Sequence, residues 1–449
     1  MDSDCTTTTS RTAAAHSSPH VFEYAFAVFA AMVYSRALLF HLFPAGAASL
    51  PKTALYLSIY AITALLLLRH WRAALTTLAT EKSVLALLLL ACLSVLWSTA
   101  PGVTLQRAAG VGGGTLFAVY LVVRLRLDYI LAVLGAGFAV SLAASLTTVA
   151  LYPQQGIMAG LHEGLWSGAY GHKNLLGKFV TTGGAVFMAL AIRRPPLSPA
   201  LVTGVWCALF VLVMASSKSS MLAWSILFSG LGIYLIVSGR RALAATALLS
   251  SAIVLAAFVL QSGYKIMPSA LQKETTRCAS EMISGSAQSC DILDNAITSK
   301  PPSAELSTAR GRLSLWLLLA EKIRQRPILG YGLGGFWLGE DGPSAEIWQQ
   351  KPWLPSHAHN GFIDLALHLG LLGLGICLLG ILAAAVRVLR RLRRGELDSA
   401  TVCMSTLVAA VILVNIGESA LLASNNLLWI TLATGLLLLC RPQRDGGDA

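Results

Sequence analysis

The chain has 449 residues, of which 55% are hydrophobic and only 12% charged. Soluble domains carry roughly a quarter charged residues, so this composition excludes a soluble globular protein and points to an all-α polytopic integral membrane protein. The net charge of +12 would suit nucleic acid, but the way the basic residues are distributed along the chain argues against it.

The first 20 residues are polar, rich in Ser, Thr and Ala, and lack the apolar core of a cleavable signal peptide. They read as a cytoplasmic N-terminal tail. From there, apolar stretches recur with lengths near the 20 helical residues that cross a hydrocarbon core. The sequence predicts about 12 transmembrane helices, at residues 21–40, 53–68, 83–97, 105–123, 129–152, 174–192, 200–215, 219–237, 242–261, 362–386, 400–416 and 426–440. Nine of these fall in residues 21–261 and three in 362–440. A large polar loop, 262–361, separates the two groups, and a short tail, 441–449, follows the last. Within the loop, 310–323 has helical periodicity and one apolar face, but it is too short and too charged at its ends to span.

Lys and Arg alternate sharply between loops. Arg69, Arg72, Lys82, Arg124, Arg126, Arg193, Arg194, Arg240, Arg241, the run Arg387 to Arg394, and Arg441 with Arg444 fall on one side. The other side has Lys52, Lys173 and Lys218. By the positive-inside rule the basic side is cytoplasmic, so both termini are inside and the 262–361 loop is outside. The charge surplus is thus a topology signal and needs no nucleic acid. A role for the Arg387–Arg394 run at the membrane surface is the competing reading.

This topology gathers a set of polar residues at the outer face: Arg107, His172, Lys173, Asn174, Lys218, Arg310, Arg312, His359, Asn360 and Glu418. Each alone could be a helix cap or an interfacial snorkelling residue. Several ionisable groups together at one membrane face indicate a site. Cations with histidines suit a phosphorylated substrate, because Arg and Lys hold phosphate while His moves a proton near neutral pH. His357 and His359 sit at i, i+2 with no third ligand nearby in sequence, and no Cys/His spacing matches a zinc site, so no metal is expected. Of eight cysteines, Cys278 and Cys290 share the outer loop, as a disulfide or as two thiols. Asp364 and His368 continue the Asn360 helix face, either as a polar wall running into the membrane or, the favoured reading, as a buried structural pair.

The motif His359-Asn360, nine residues, then Gly370-Leu-Leu-Gly373 resembles the signature of the O-antigen ligase and Wzy-type polymerase superfamily. Further segments resemble its exopolysaccharide polymerase branch: Trp97-Ser-Thr-Ala-Pro101 with Leu105-Gln-Arg-Ala108, Trp166 through Gly171-His-Lys-Asn-Leu-Leu-Gly177, the run Arg326 to Trp337, and Asn415-Ile-Gly-Glu-Ser-Ala420. The resemblance covers most of the chain from Trp97 onward. It implies a C-type glycosyltransferase of the bacterial inner membrane that works on the periplasmic face. Its substrate would be an undecaprenyl-diphosphate-linked oligosaccharide, and it would need neither metal nor cofactor. Other polysaccharide export or chain-length proteins would be partners, besides the bilayer itself.

The same resemblance assigns roles. His359, rather than His357, would be the catalytic base, and Arg312 the diphosphate-binding arginine, with Arg310 beside it. The second phosphate position, an Arg-x3-Leu motif in the family, is Lys218-Ser-Ser-Met-Leu222 here, which keeps the charge and loses the bidentate fork. His172, Lys173, Asn174, Arg107, Asn360 and Glu418 would contact substrate. Gly171-His-Lys-Asn174 and the Gly417-Glu-Ser419 region favour a polymerase that joins lipid-linked repeat units in exopolysaccharide synthesis. An O-antigen ligase that moves the glycan to lipid A-core or another acceptor is the alternative. A transporter would also suit many spans with intramembrane charge, but the two halves show no repeat.

Overall fold

The computed structural model describes residues 21–43, 49–266, 309–350 and 354–440. Cys278 and Cys290 lie outside the described residues. Among those described, the chain is helical, with one isolated β-bridge between Ile157 and Trp166. The helices are α1 (Val21–Tyr34), α2 (Ala37–Leu42), α3 (Ser49–Leu68), α4 (Trp71–Thr80), α5 (Lys82–Leu93), α6 (Pro101–Arg124), α7 (Leu127–Leu151) and α8 (Pro153–Gly156). They continue with α9 (Lys173–Arg193), α10 (Ser198–Ala215), α11 (Lys218–Val237), α12 (Arg241–Ile266), α13 (Ala309–Gln325), α14 (Ala345–Gln350), α15 (Gly361–Arg393), α16 (Ser399–Gly417) and α17 (Leu427–Leu439).

This is a multi-pass membrane protein. Among the described residues eight helices are long and apolar enough to cross a bilayer, or nine if α4 and α5, bent by 99° at their junction, count as one span. Every expected span meets a helix, but not all are long enough. α1 has 14 residues and α17 has 13; at 1.5 Å per residue these reach about 20 Å, short of the ~30 Å hydrocarbon core. α6 is long, but Gln106, Arg107 and its glycines lower its apolarity. The expected first span, 21–40, breaks at Arg36, which adopts a left-handed conformation (φ 66°) between α1 and α2.

α9 is the centre of the bundle, with 94% of its apolar stretch buried, packed by α7, α10, α11 and α16. Such close packing is only open to small side chains. A Cβ on Gly184 would meet the Trp224 ring at 2.5 Å. Without a hydrophobic driving force between helices in lipid, this contact area and interhelical polar bonds hold the bundle.

The two ends of the bundle differ in chemistry. At one end, arginines of the basic loops find carboxylates: Arg124–Glu23 at 2.7 Å, Arg193–Asp128 at 2.8 Å and Arg387–Glu81 at 2.8 Å. These pairs lock α6 to α1, α9 to α7 and α15 to the α4–α5 bend. The opposite end carries the starts of α9, α11, α15 and α17, three of them capped by their own preceding side chains. His172 accepts from Asn174 N–H (3.2 Å), Asn360 from Phe362 N–H (2.9 Å), and Asn426 from Leu428 N–H (2.8 Å). Such caps each contribute about 1 kcal/mol.

α15 is not the single straight helix the apolar run suggests. It breaks at Gly370 (φ 67°, ψ −171°), where the segment 326–335 crosses it. Leu371 N–H donates to Pro327 C=O (2.7 Å) and Leu372 N–H to Ile328 C=O (3.3 Å), while Tyr331 N–H takes the Leu367 carbonyl (2.8 Å). The crossing segment thus replaces the helical partners lost at the break. It is tied on its other side by Trp97 Nε1–H to Leu329 C=O (2.9 Å) and Leu333 N–H to Ser94 Oγ (3.1 Å). Gly370 is required twice over, since its φ is left-handed and a Cβ would strike the Ile328 carbonyl. Gly370→Ala is expected to destabilise the protein by at least about 1–2 kcal/mol, read as a lower midpoint of thermal unfolding in detergent; an unchanged midpoint would contradict this account.

Candidate functional site

His359 is placed by a clamped peptide. The N–H of Ala358 donates to both carboxylate oxygens of Asp364 (3.1 and 3.0 Å), and its carbonyl accepts from Trp316 Nε1 on α13 (2.8 Å). The next residue, His359, has φ 51°, an uncommon conformation for a non-glycine residue, held here by those neighbours. Its own N–H donates to His357 Nδ1 (3.1 Å), and the two imidazole rings lie 4.1 Å apart.

The residue facing His359 comes from the other side of the fold. α16 ends at Gly417, and Glu418 follows in an extended conformation, its side chain 2% exposed. The turn beyond it is shaped by Asn415, whose Oδ1 accepts from the N–H groups of Ala420 (2.7 Å) and Leu421 (3.0 Å). Glu418 Oε1 lies 3.2 Å from His359 Nδ1 and 3.0 Å from Arg312 Nη2. Arg312 also donates from Nη1 to the Gly417 carbonyl (2.7 Å). Below, Lys178 of α9 donates to the Ser419 carbonyl (2.7 Å), and Ser419 Oγ bonds Asp364.

Burial pushes the Glu418 carboxyl up, but the His359 hydrogen bond, with the neighbouring His359 and Lys178, outweighs it and holds the group at about 2. It is therefore a carboxylate at any working pH. Burial, and then the neighbouring His359, lower His357 to about 3, so His357 stays neutral and serves as an acceptor. Burial also lowers His172, with Glu418 and His359 among the charges it feels.

Of the expected site residues, His359, Asn360, Arg312, Glu418 and His172 converge. Asn360 caps α15 and donates from Nδ2 to the Ile416 carbonyl (3.1 Å), so it joins the two halves of the site rather than facing open space. Lys173 donates to the Ser216 carbonyl (3.3 Å) and Asn174 is buried. The Lys173 contact holds the α9 start against the α10–α11 turn. Lys218 lies over the Phe258 ring and donates to Gln261 Oε1 (3.3 Å) on α12. Its neighbour Ser219 packs on Gly417 beside Arg312, which keeps the α11 start next to the site. Arg310 lies in the first turn of α13, two residues before the arginine that reaches Glu418; its side chain lies outside the described set. Arg107 runs under Gly334 of the crossing segment and interacts with Asp364 and His368.

One expectation is corrected. Asp364 and His368 do not pair. Asp364 takes Ala358, Trp337 Nε1 (2.7 Å) and Ser419, while His368 Nδ1 accepts from Gly334 N–H (3.4 Å). One helical turn separates them along α15, and each is claimed by a different part of the crossing loop. His357 and His359 also have a third partner that their spacing does not show, because the fold brings Glu418 up to them, with donor atoms of the three within 4.8 Å of one another. In this structure the cation at that carboxylate is Arg312. Lys178, not among the expected site residues, is 4% exposed and supports the Glu418 turn from below. Its position one turn after His172-Lys-Asn174, on the buried face of α9, is the signal that would have found it.

Against known proteins, residues 203–378 match the family model described as O-antigen ligase. A protein of Rickettsia conorii described as a candidate polysaccharide ligase is 34% identical over 87 residues, 19% of this chain and 20% of its own. A like-named protein of Rickettsia prowazekii is 40% identical over 74 residues, 16% and 18% respectively. The chain thus spans about a fifth of the length of these relatives in its matches.

The charge states give a stability expectation. His357 drops from an ordinary 6.5 to about 3, so the unfolded chain takes up its proton first and stability falls as pH drops from 6.5 toward 3. Glu418 drops from 4.5 to about 2, so its contribution is full above 4.5 and is lost as pH falls toward 2. Thermal unfolding in detergent should lose the upper part of this acid dependence in His357→Gln and the lower part in Glu418→Gln. Curves parallel to wild type in both would refute these assignments.

Proposed function

We propose that the chain, whose residues 203–378 match the O-antigen ligase family model, is a polysaccharide polymerase joining undecaprenyl-diphosphate-linked repeat units on the periplasmic face of the bacterial inner membrane. The observation that carries this reading is the meeting of His359, Glu418 and Arg312 at one end of the helical bundle. It offers a proton acceptor and a phosphate-binding cation within one side chain of each other.

The chemistry follows from the groups. A glycosyl diphosphate is already an activated donor, so positioning and leaving-group stabilisation supply much of the rate. His359 takes the proton of the acceptor hydroxyl as that oxygen attacks the anomeric carbon. The bond from that carbon to the diphosphate oxygen breaks, with inversion, and the electron pair leaves with the diphosphate. Arg312 meets the growing negative charge, assisted by the start of α11 at Lys218 and Ser219, where the positive end of the helix dipole also favours an anion. No metal is needed, because Arg312 supplies the positive charge.

The polymerase reading draws on the Gly171-His-Lys-Asn174 segment, whose His172 feels the charges of both Glu418 and His359, and on the Gly417-Glu-Ser419 turn that supplies Glu418. A ligase acting on a separate acceptor would use the same chemistry. Reconstitution with a lipid-linked repeat unit alone separates them: long lipid-linked glycans are expected, and product only on adding another acceptor would favour the ligase.

Two variants test the roles. His359→Ala is expected to insert normally and make no polymer, and a normal chain-length ladder would remove the base assignment. Arg312→Ala is expected to raise the donor KM more than Lys218→Arg does, and wild-type activity in both would remove the diphosphate role. Chelation with EDTA should leave the rate unchanged; loss of activity would recast the His357, His359 and Glu418 cluster as a metal centre.

A further inference from the structure

One oxygen of Glu418 serves two partners. Oε1 stands 3.2 Å from His359 Nδ1 and 3.0 Å from Arg312 Nη2. The two sides differ in freedom: the Glu418 side chain is 2% exposed and the Arg312 side chain 27%. Among the described residues Arg312 is held by the turn bearing Glu418, through that oxygen and the Gly417 carbonyl. A guanidinium this exposed can move to a diphosphate, whereas the buried carboxylate stays.

We propose that Glu418 is a positioning residue linking donor binding to proton transfer: the arriving diphosphate draws Arg312 away, and the carboxylate so released acts on His359 alone. This rests on the reading of His359 as base and Arg312 as diphosphate ligand. With Nδ1–H held by Glu418, the opposite ring nitrogen, Nε2, is the atom left to take a proton. It receives the acceptor hydroxyl proton as the new glycosidic bond forms and the bond to the diphosphate breaks. The imidazolium then keeps its Nδ1–H on a carboxylate that never itself becomes protonated, the logic of an acid orienting a histidine base. While Arg312 sits on Oε1, the carboxylate's pull on Nδ1–H is shared and weakened. A base strengthened only beside a bound donor would limit wasted turnover.

The other groups around the pair do not move with the donor. His357 and Asp364 belong to the approach and first turn of α15, and His172 and Lys178 flank it from α9. Lys178 remains on the Ser419 carbonyl at 2.7 Å, so the carboxylate keeps a cationic neighbour after Arg312 leaves. Asp364 is taken by Ala358, Trp337 and Ser419 and does not compete for His359.

The test uses the purified full chain and a lipid-linked repeat unit, with kcat and donor KM measured across pH. Glu418→Gln should lower kcat on the order of 10²-fold without raising donor KM, because the freed Arg312 still meets the diphosphate. The pH at which kcat falls on acidification should move down. Glu418→Asp, which keeps the charge, should recover part of the loss. Wild-type kcat in Glu418→Gln would overturn the proposal. So would a donor KM raised as far as in Arg312→Ala, which would make Glu418 part of the substrate site. Loss of both variants from the membrane would make it purely structural. If His359→Ala is dead while Glu418→Gln is fully active, the linkage fails and the base assignment stands; if both are active, the base assignment itself fails.

Discussion

The buried carboxylate of Asp364 is the interaction on which the arrangement depends. It accepts from the Ala358 backbone, from Trp337 of the crossing loop, and from Ser419 beyond α16. A buried carboxylate without such donors is strongly disfavoured, so the three segments are drawn to one point. Ala358 fixes the peptide before His359, and Ser419 follows Glu418. A single side chain that touches no reacting group in this reading therefore sets the distance between the base and its carboxylate.

Charge is handled differently at the two ends of the bundle. At the basic end Glu23 and Glu81 each meet an arginine and Asp128 lies between Arg193 and Arg194, which fastens helices. At the His359 end one carboxylate is shared by an arginine and a histidine, with a buried lysine nearby. In the proposed mechanism that sharing lets Arg312 turn to an incoming anion. A structural pair is closed, whereas this cluster is open to exchange.

The sequence carried the helical class and the positions of the helices, because hydrophobic runs are local signals, and it singled out His359 and Arg312, which the fold brings to one carboxylate. It did not carry the contacts. Glu418 reaches His359 across 59 positions, and nothing local distinguishes a glutamate that orients a histidine from one that binds sugar. The Asp364–His368 pairing failed for a related reason: helical spacing places two residues on a face, but the crossing loop supplied better partners to each. Gly370 and Gly373 were legible as a motif and not as a mechanism. Gly370 marks where an outside segment enters the α15 hydrogen-bond ladder, which no helical periodicity reveals. Helix lengths were also less regular than apolar runs imply, since Arg36 ends the first helix by its backbone conformation.

The crossing at Gly370 also bears on how such proteins can be recombined. The outer segment 326–335 completes the hydrogen bonding of a broken membrane helix, so loop and helix are not separable parts. Chimeras that exchange the loop up to His359 would leave a host helix kinked toward carbonyls that are no longer there. The natural unit of exchange runs from α13 through Gly373, and specificity transplanted between relatives should travel with that whole block.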